Sequence, residues 1–241
     1  GSTAAYLLNK QGFEVLLIDK EKFPRNKLCG GLITEKTLIL LFDLFDFKLD
    51  DLKDNNVIDY VADSYSIYFK DKLITSNRME SKFHFVKRSE YDNYLLNKVK
   101  KSKVEVLENT KVENINFNNN TIVTTQGDKY NSEFIIAADG ANSKIRNKLL
   151  IKRNLKDTSF IKNNWAMALE TEVPRNKTDF KINEPILYFG IINWGYGWIF
   201  PKKDTLTVGF GGLQNKNDNF IRTFKNYLKL LNLDQESLEI K

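Results

Sequence analysis

The sequence predicts an α/β domain with an antiparallel β domain grafted onto it, and three observations carry that reading. First, a small-residue helix is followed at once by an apolar strand, "GSTAAYLLNKQGFEVLLID". Second, a second apolar run, "EFIIAAD", stops abruptly at Asp139-Gly140 and turns basic. Third, residues 165–212 alternate in the β manner and carry all three tryptophans, with several Tyr and Phe. Helix–strand units build the first kind of layer and alternating aromatic strands the second.

Each element has a local reason. Ala4, Ala5, Leu7 and Leu8 give residues 1–11 an apolar helical stripe, and Gly12 is a natural residue just past a helix end. Residues 13–19 read as a buried parallel-type strand. A loop with Pro24 and Gly30-Gly31 precedes a helix over 34–44. Residues 63–77 alternate as a hairpin around Lys70-Asp71. Residues 89–101 form a helix with Ser89 as its N-cap and Leu95, Leu96 and Val99 on its apolar face. Short strands "VEVLEN", "TKVENINF" and "TIVTTQGDKY" follow, with turns at 118–120 and Gly127-Asp128. "EFIIAAD" is expected as another buried strand, and 218–231 as an amphipathic helix.

Composition bounds the function. The 241 residues are 41% hydrophobic, enough for a sizeable core. The net charge of +6 is spread thinly, densest in "NKVKKSK", which suits a solvated face and also favours anionic ligands or acidic lipid headgroups. No basic-aromatic array or zinc-finger spacing argues for nucleic acid. One cysteine, Cys29, allows no internal disulfide, so a reducing, cytoplasmic setting is the default expectation. One histidine, His84, argues against a histidine-built metal site or a serine triad, since no catalytic partner for it is evident, and it is assigned to structure. No metal site is expected, and no apolar run reaches the ~20 residues of a membrane span.

Two constellations carry chemistry. Gly1 opens a helix whose following strand ends in Asp19, 18 residues on, near the offset of about 20 in dinucleotide-binding units. In such units a pyrophosphate sits on helix N–H groups and the acid binds ribose hydroxyls. A generic β/α unit has the same look. Asp139-Gly140 serves equally as a plain turn, or as a backbone laid against a ligand, with Asp139 accepting from hydroxyls.

Taken together, "GSTAAYLLNKQGFEVLLIDK", "FPRNKLCGG", "VKRSEYD" and "AADGANSKIR" resemble, in order and spacing, FAD-dependent oxidoreductases of the aromatic-hydroxylase structural group. "YGWIFPKKDTLTVGFG" resembles the signature of the geranylgeranyl reductases, Tyr-x-Trp-x-Phe-Pro followed by Gly-x-Gly; Tyr196, Trp198, Phe200, Pro201, Gly209 and Gly211 fill its fixed positions. The resemblance implies a Rossmann-like FAD-binding domain, incomplete here, with an interleaved antiparallel β-sheet substrate domain. The implied segments are 1–60 and 85–150 for FAD, 61–84 and 151–214 for substrate, and 215–241 as a C-terminal helical segment. It implies pyrophosphate at Gly1 and Ser2, and the adenosine ribose at Asp19 with Lys20. Arg25 and Lys27, then Cys29 and Gly30, lie in a loop crossing the cofactor. Arg88 contacts the flavin nucleotide, and Asp139 and Gly140 the ribityl or pyrophosphate region. Tyr196, Trp198, Phe200, Pro201, Gly209 and Gly211 line a prenyl tunnel, although alternating strand aromatics also serve as plain core. Cys29 either tunes the flavin site and assists protonation, or is a small buried hydrophobe.

The implied reaction is hydride transfer from reduced FAD to an isoprenoid C=C, with a reduced nicotinamide (NADPH or NADH) or another reductant as electron donor. The lipid substrate implies peripheral membrane contact. The rival enzyme reading is an FAD-dependent monooxygenase or halogenase; the halogenase pattern Trp-x-Trp-x-Ile-Pro is not met, because Tyr196 stands first. The rival from another class is a non-catalytic flavoprotein fragment. The family pattern extends beyond both ends, so the chain is expected to be a truncated piece that binds FAD poorly and is inactive alone.

Overall fold

The computed structural model describes residues 1–153, 163–178, 181–233 and 238–240. The chain divides into two compact units, each made of two stretches: Gly1–Asn26 with Ser89–Asp157, and Lys27–Arg88 with Thr158–Lys241.

The first unit opens with helix α1, Ser2–Lys10. It stops at Gly12, whose φ of 90° is one that side chains resist. Strand β1 follows, Leu16–Ile18, shorter than the run of apolar residues around it. The chain then enters the second unit through β2 (Leu32–Ile33), α2 (Glu35–Phe45) and α3 (Leu49–Asp54). The hairpin β3 (Ile58–Phe69) and β4 (Lys72–Val86) forms as expected, turning at Lys70, whose φ is 54°.

Helix α4, Arg88–Lys100, returns the chain to the first unit. It starts one residue before the expected Ser89 cap, so Ser89 lies inside the first turn. Strand β5, Glu105–Leu107, pairs parallel with β1 in the register Leu17↔Val106. Ala5, Leu96, Val99 and Val104 are buried beneath this pair, with Leu17 and Val106 packed against them. Strands β6 (Val112–Asn116), β7 (Thr121–Thr124) and β8 (Lys129–Asn131) form an antiparallel meander, and α5 (Lys144–Lys152) follows.

The expected buried strand over 133–139 is not formed. Phe134 is 82% exposed and Ile136 59%. An apolar run becomes a strand only where a neighbour takes its backbone N–H and C=O groups. Among the described residues no strand pairs with this segment.

The second unit is completed by β9 (Ala166–Pro174), β10 (Ile186–Phe189), β11 (Gly195–Pro201), β12 (Thr205–Leu213) and α6 (Phe220–Leu230). Its sheet has seven strands in the order β2-β4-β3-β10-β11-β12-β9. It is antiparallel except where β10 runs parallel to β3, so the expected antiparallel sheet is a mixed one. Alternation along β11 sends Ile199 to the face covered by α6, where Phe210, Phe224 and Leu228 are fully buried. Tyr196, Trp198 and Phe200 point to the opposite face.

His84, on β4, is buried and its Nδ1 has no partner among the described residues. Burial first, then the charge of Lys53, holds it below 6.5 against the pull of the Lys82 backbone. The unfolded chain therefore takes up a proton before the folded one does. Stability is full above the ordinary histidine value and is lost as pH falls through it. Thermal melts at about pH 7.5 and about pH 5.5 should show a fall in Tm that His84→Gln reduces.

Candidate functional site

In the first unit, three expected features are brought together. Gly1 caps α1 through its carbonyl, which accepts from the Ala5 N–H at 3.0 Å. No side chain caps the helix and no acidic residue lies in its first turn, which begins at Ser2, so the helix end favours an anion. A Cβ at Gly1 would lie 3.5 Å from Leu17 Cδ1 and 3.7 Å from Ala138 Cβ. The helix start therefore meets both β1 and the approach to the Asp139 turn.

Asp19 ends β1. Its N–H donates to the Leu107 carbonyl at 2.9 Å, and its Oδ1 accepts from the Glu21 N–H at 2.9 Å. Lys20 beside it is exposed and pairs with Glu21 at 3.5 Å. Arg25 is held away from solvent: its Nη1 lies 3.0 Å from Asp92 Oδ2, and its guanidinium lies over the Phe23 ring at 4.8 Å.

The turn at Asp139 is the cap of α5. Ser143 Oγ donates to Asp139 Oδ1 at 2.5 Å and accepts from the Arg146 N–H at 3.0 Å. Burial pushes the Asp139 carboxyl up, but the bonds from Ser143 and from the backbone of Ile145 and Lys144 outweigh it and hold it below the usual range. Gly140 has φ 86°, and nothing stands within 4 Å of where its Cβ would be. Backbone shape demands glycine there, and the space beside it is open. Ser143→Ala removes the cap and should cost about 1 kcal/mol, read as a lower denaturant midpoint at unchanged slope.

In the second unit, the loop carrying Cys29 is anchored on three sides. The Cys29 N–H donates to the buried Glu170 Oε1 at 2.6 Å. The Gly30 carbonyl accepts from Lys202 Nζ at 2.8 Å, and the Gly31 carbonyl accepts from the Val86 N–H at 2.9 Å. The Cys29 thiol is exposed and its Sγ accepts from the Gly31 N–H at 3.4 Å. The reading of Cys29 as a buried hydrophobe is therefore set aside. Lys27 before it is exposed, and Arg88 begins α4 half-buried.

Lys202 is 2% exposed, and its second partner is the Val86 carbonyl at 2.7 Å. Burial pulls its ammonium below the ordinary lysine range against the attraction of Glu172, Asp59, Cys29 and Glu170.

The six signature positions have a packing logic. Trp198 pairs with Gly209 and Tyr196 with Gly211 across β11–β12. A Cβ on Gly209 would sit 2.7 Å from the Trp198 ring, and one on Gly211 3.7 Å, so the glycines form the floor beneath the indole. A Cβ on Gly30 would lie 2.6 Å from Phe200 and 3.5 Å from Trp198 Nε1. That indole N–H is buried with no acceptor among the described residues. Tyr196, Trp198 and Phe200 run in steps of 5.8 and 6.1 Å, from an exposed tyrosine to a buried phenylalanine, with Pro201 buried beyond. Glu170 and Lys202 are absent from the sequence reading. The alternation 196, 198, 200 lands next on Lys202, which is a signal for it; Glu170 emerges only from its register opposite Gly209.

A family model described as an FAD binding domain matches residues 1–186. An uncharacterised protein of Methanosarcina barkeri is 29% identical over 246 residues, covering 100% of this chain and 58% of that protein. A geranylgeranyl diphosphate reductase of Rhodobacter capsulatus is 26% identical, covering 88% of this chain and 51% of that protein. A tryptophan 2-halogenase of Chondromyces crocatus is 28% identical, covering 87% and 40%. The chain thus spans about half the length of the curated relatives it matches. Among solved structures, a geranylgeranyl bacteriochlorophyll reductase-like protein of Thermoplasma acidophilum superposes over 100% of this chain and 61% of its own, with TM-score 0.76 and 20% identity. Halogenase PltM in complex with phloroglucinol and FAD gives TM-score 0.72 at 18% identity, over 100% of this chain and 56% of its own. Those two likenesses establish the fold.

Proposed function

The chain belongs to the FAD binding domain family, and we propose that it is part of an FAD-dependent oxidoreductase that saturates isoprenoid C=C bonds of the geranylgeranyl type. The residues of the first unit fit FAD: a helix start at Gly1 and Ser2 with no side-chain cap for the pyrophosphate, Asp19 with Lys20 for the adenosine ribose, and the open side of Asp139-Gly140 for the ribityl region. Arg25, fixed by Asp92, and Lys27, Gly30 and Arg88 are the further contacts we assign to the cofactor. The chemistry FAD supplies when bound is hydride transfer, with a reduced nicotinamide or another reductant as the electron source.

The observation that carries the substrate class is the aromatic stripe of Tyr196, Trp198 and Phe200. Flat rings seated on glycines make an apolar wall that buries hydrocarbon without offering competing hydrogen bonds. Cys29, on its anchored loop, is the side chain we assign to give a proton to the second carbon of the double bond and to regain it from water. A second reading, a halogenase or hydroxylase, draws on the halogenase relatives.

Binding separates the two. Titration of the chain with geranylgeranyl diphosphate should quench tryptophan emission, and Tyr196→Ala should weaken binding roughly tenfold, the loss of about 1.4 kcal/mol of ring contact. Tight binding of a small phenol with no response to the prenyl compound would favour the second reading.

A further inference from the structure

We propose that one end of the second unit's sheet docks on an anionic membrane surface. The proposal rests on the isoprenoid reading for why the aromatic stripe should open at that end, and on the surface itself for the rest.

Two turns lie side by side there. The Lys70 N–H donates to the Phe189 carbonyl at 2.8 Å, and a Cβ on Gly190 would meet the Phe69 ring at 2.9 Å. Phe69, Leu73, Ile74, Phe189, Trp194 and Tyr196 are all exposed large apolar side chains at this end.

Trp194 is the anomaly. It is 75% exposed in the loop between β10 and β11, at φ 50°, a region that glycine or asparagine occupies at far lower cost. The loop holds it out. The Asn193 N–H donates to Asn217 Oδ1 at 3.0 Å, Asn217 Nδ2 donates to the Asn193 carbonyl at 2.8 Å, and the Leu213 N–H donates to the Trp194 carbonyl at 3.2 Å. A strained backbone that presents a bare indole to water points to something that covers it.

The charges favour a lipid headgroup layer over an apolar protein face. Lys70, Lys72 and Lys216 are exposed at this end, against Asp71 and Asp218. Lys70 Nζ lies 5.7 Å from the Phe69 ring centroid. Aromatic bodies with lysine heads are the side chains that settle at a bilayer interface, rings among the upper acyl chains and ammonium groups at the phosphates. The stripe continues inward from this end: Phe189 lies 5.9 Å from Tyr196, which leads to Trp198 and the buried Phe200. A prenyl chain leaving the bilayer would meet aromatic surface along that line.

The test is co-sedimentation of the full chain with vesicles of phosphatidylcholine alone and mixed with phosphatidylglycerol. The chain should bind the mixed vesicles and lose that binding at high salt. Trp194→Asn should weaken it roughly tenfold, with Tm unchanged or raised because asparagine accepts the loop's φ. The double variant K70E/K72E should abolish the preference for phosphatidylglycerol. Equal binding by all three proteins, or none by the wild type, overturns the proposal, as does a dimer that Trp194→Asn dissociates in the absence of vesicles. Reduction of a short water-soluble prenyl diphosphate by the intact gene product is measured in parallel. Its failure with vesicle binding intact would strike the isoprenoid reading and leave the surface standing.

Discussion

Gly31→Ala is expected to be severely destabilising, because it combines a steric clash with a left-handed backbone. The added Cβ would stand 2.1 Å from the Val86 carbonyl oxygen and 2.2 Å from Lys202 Nζ, at a φ of 76°. Neither neighbour can retreat cheaply. Val86 is buried, and its N–H donates to the Gly31 carbonyl at 2.9 Å, so the two backbones are already tied. The left-handed conformation alone costs about 1–2 kcal/mol, and overpacking against fixed backbone adds about 1–3 kcal/mol or more. A loss of about 4 kcal/mol lowers Tm by roughly 8–16 °C in a chain of this size. Gly12→Ala is the matched control: its φ is 90° but nothing lies within 4 Å. It should cost about 1–2 kcal/mol. Equal melting of the two variants would show that the Cys29 loop is not packed as described.

Lys202→Met should come second. The stem is kept and the ammonium removed, leaving the Gly30 and Val86 carbonyls without their donor. Each buried acceptor so orphaned costs about 1–3 kcal/mol. Relief from burying a charge offsets part of that. A net loss of about 3 kcal/mol, or roughly 6–12 °C, is expected. The same variant frees one of the three anchors of the Cys29 loop, so alkylation of Cys29 by a bulky maleimide should quicken in the folded state. A Lys202→Met protein with wild-type Tm and wild-type thiol reactivity would remove the clamp from the account.

What was legible in the sequence was local. The stop at Gly12, the hairpin around Lys70 and the face of α6 all follow from spacing within one element. Asp139-Gly140 proved to be a turn with a purpose: Asp139 and Ser143 together cap α5, while Gly140 keeps one side open. What was not legible depends on partners. The run around Phe134 has the composition of a buried strand, but a strand exists only in a ladder, and no neighbour supplies one among the described residues. Glu170 reaches Cys29 from a residue 141 positions away, and no pattern within β9 announces it. The parallel pairing of β3 with β10 likewise joins distant stretches. The signature positions were legible as a motif, but the reason for their glycines, a floor under Trp198, required the register of β11 on β12.

The central claim is that this chain serves reduction of prenyl double bonds and not oxygen chemistry. The most direct measurement takes the gene product that carries this chain, loads it with FAD, reduces it without oxygen, and offers it a geranylgeranylated lipid for mass analysis. The account predicts products heavier by two hydrogens for each double bond saturated, formed in the absence of oxygen. Product that appears only when oxygen is admitted, and carries an added oxygen or halogen atom, would contradict it.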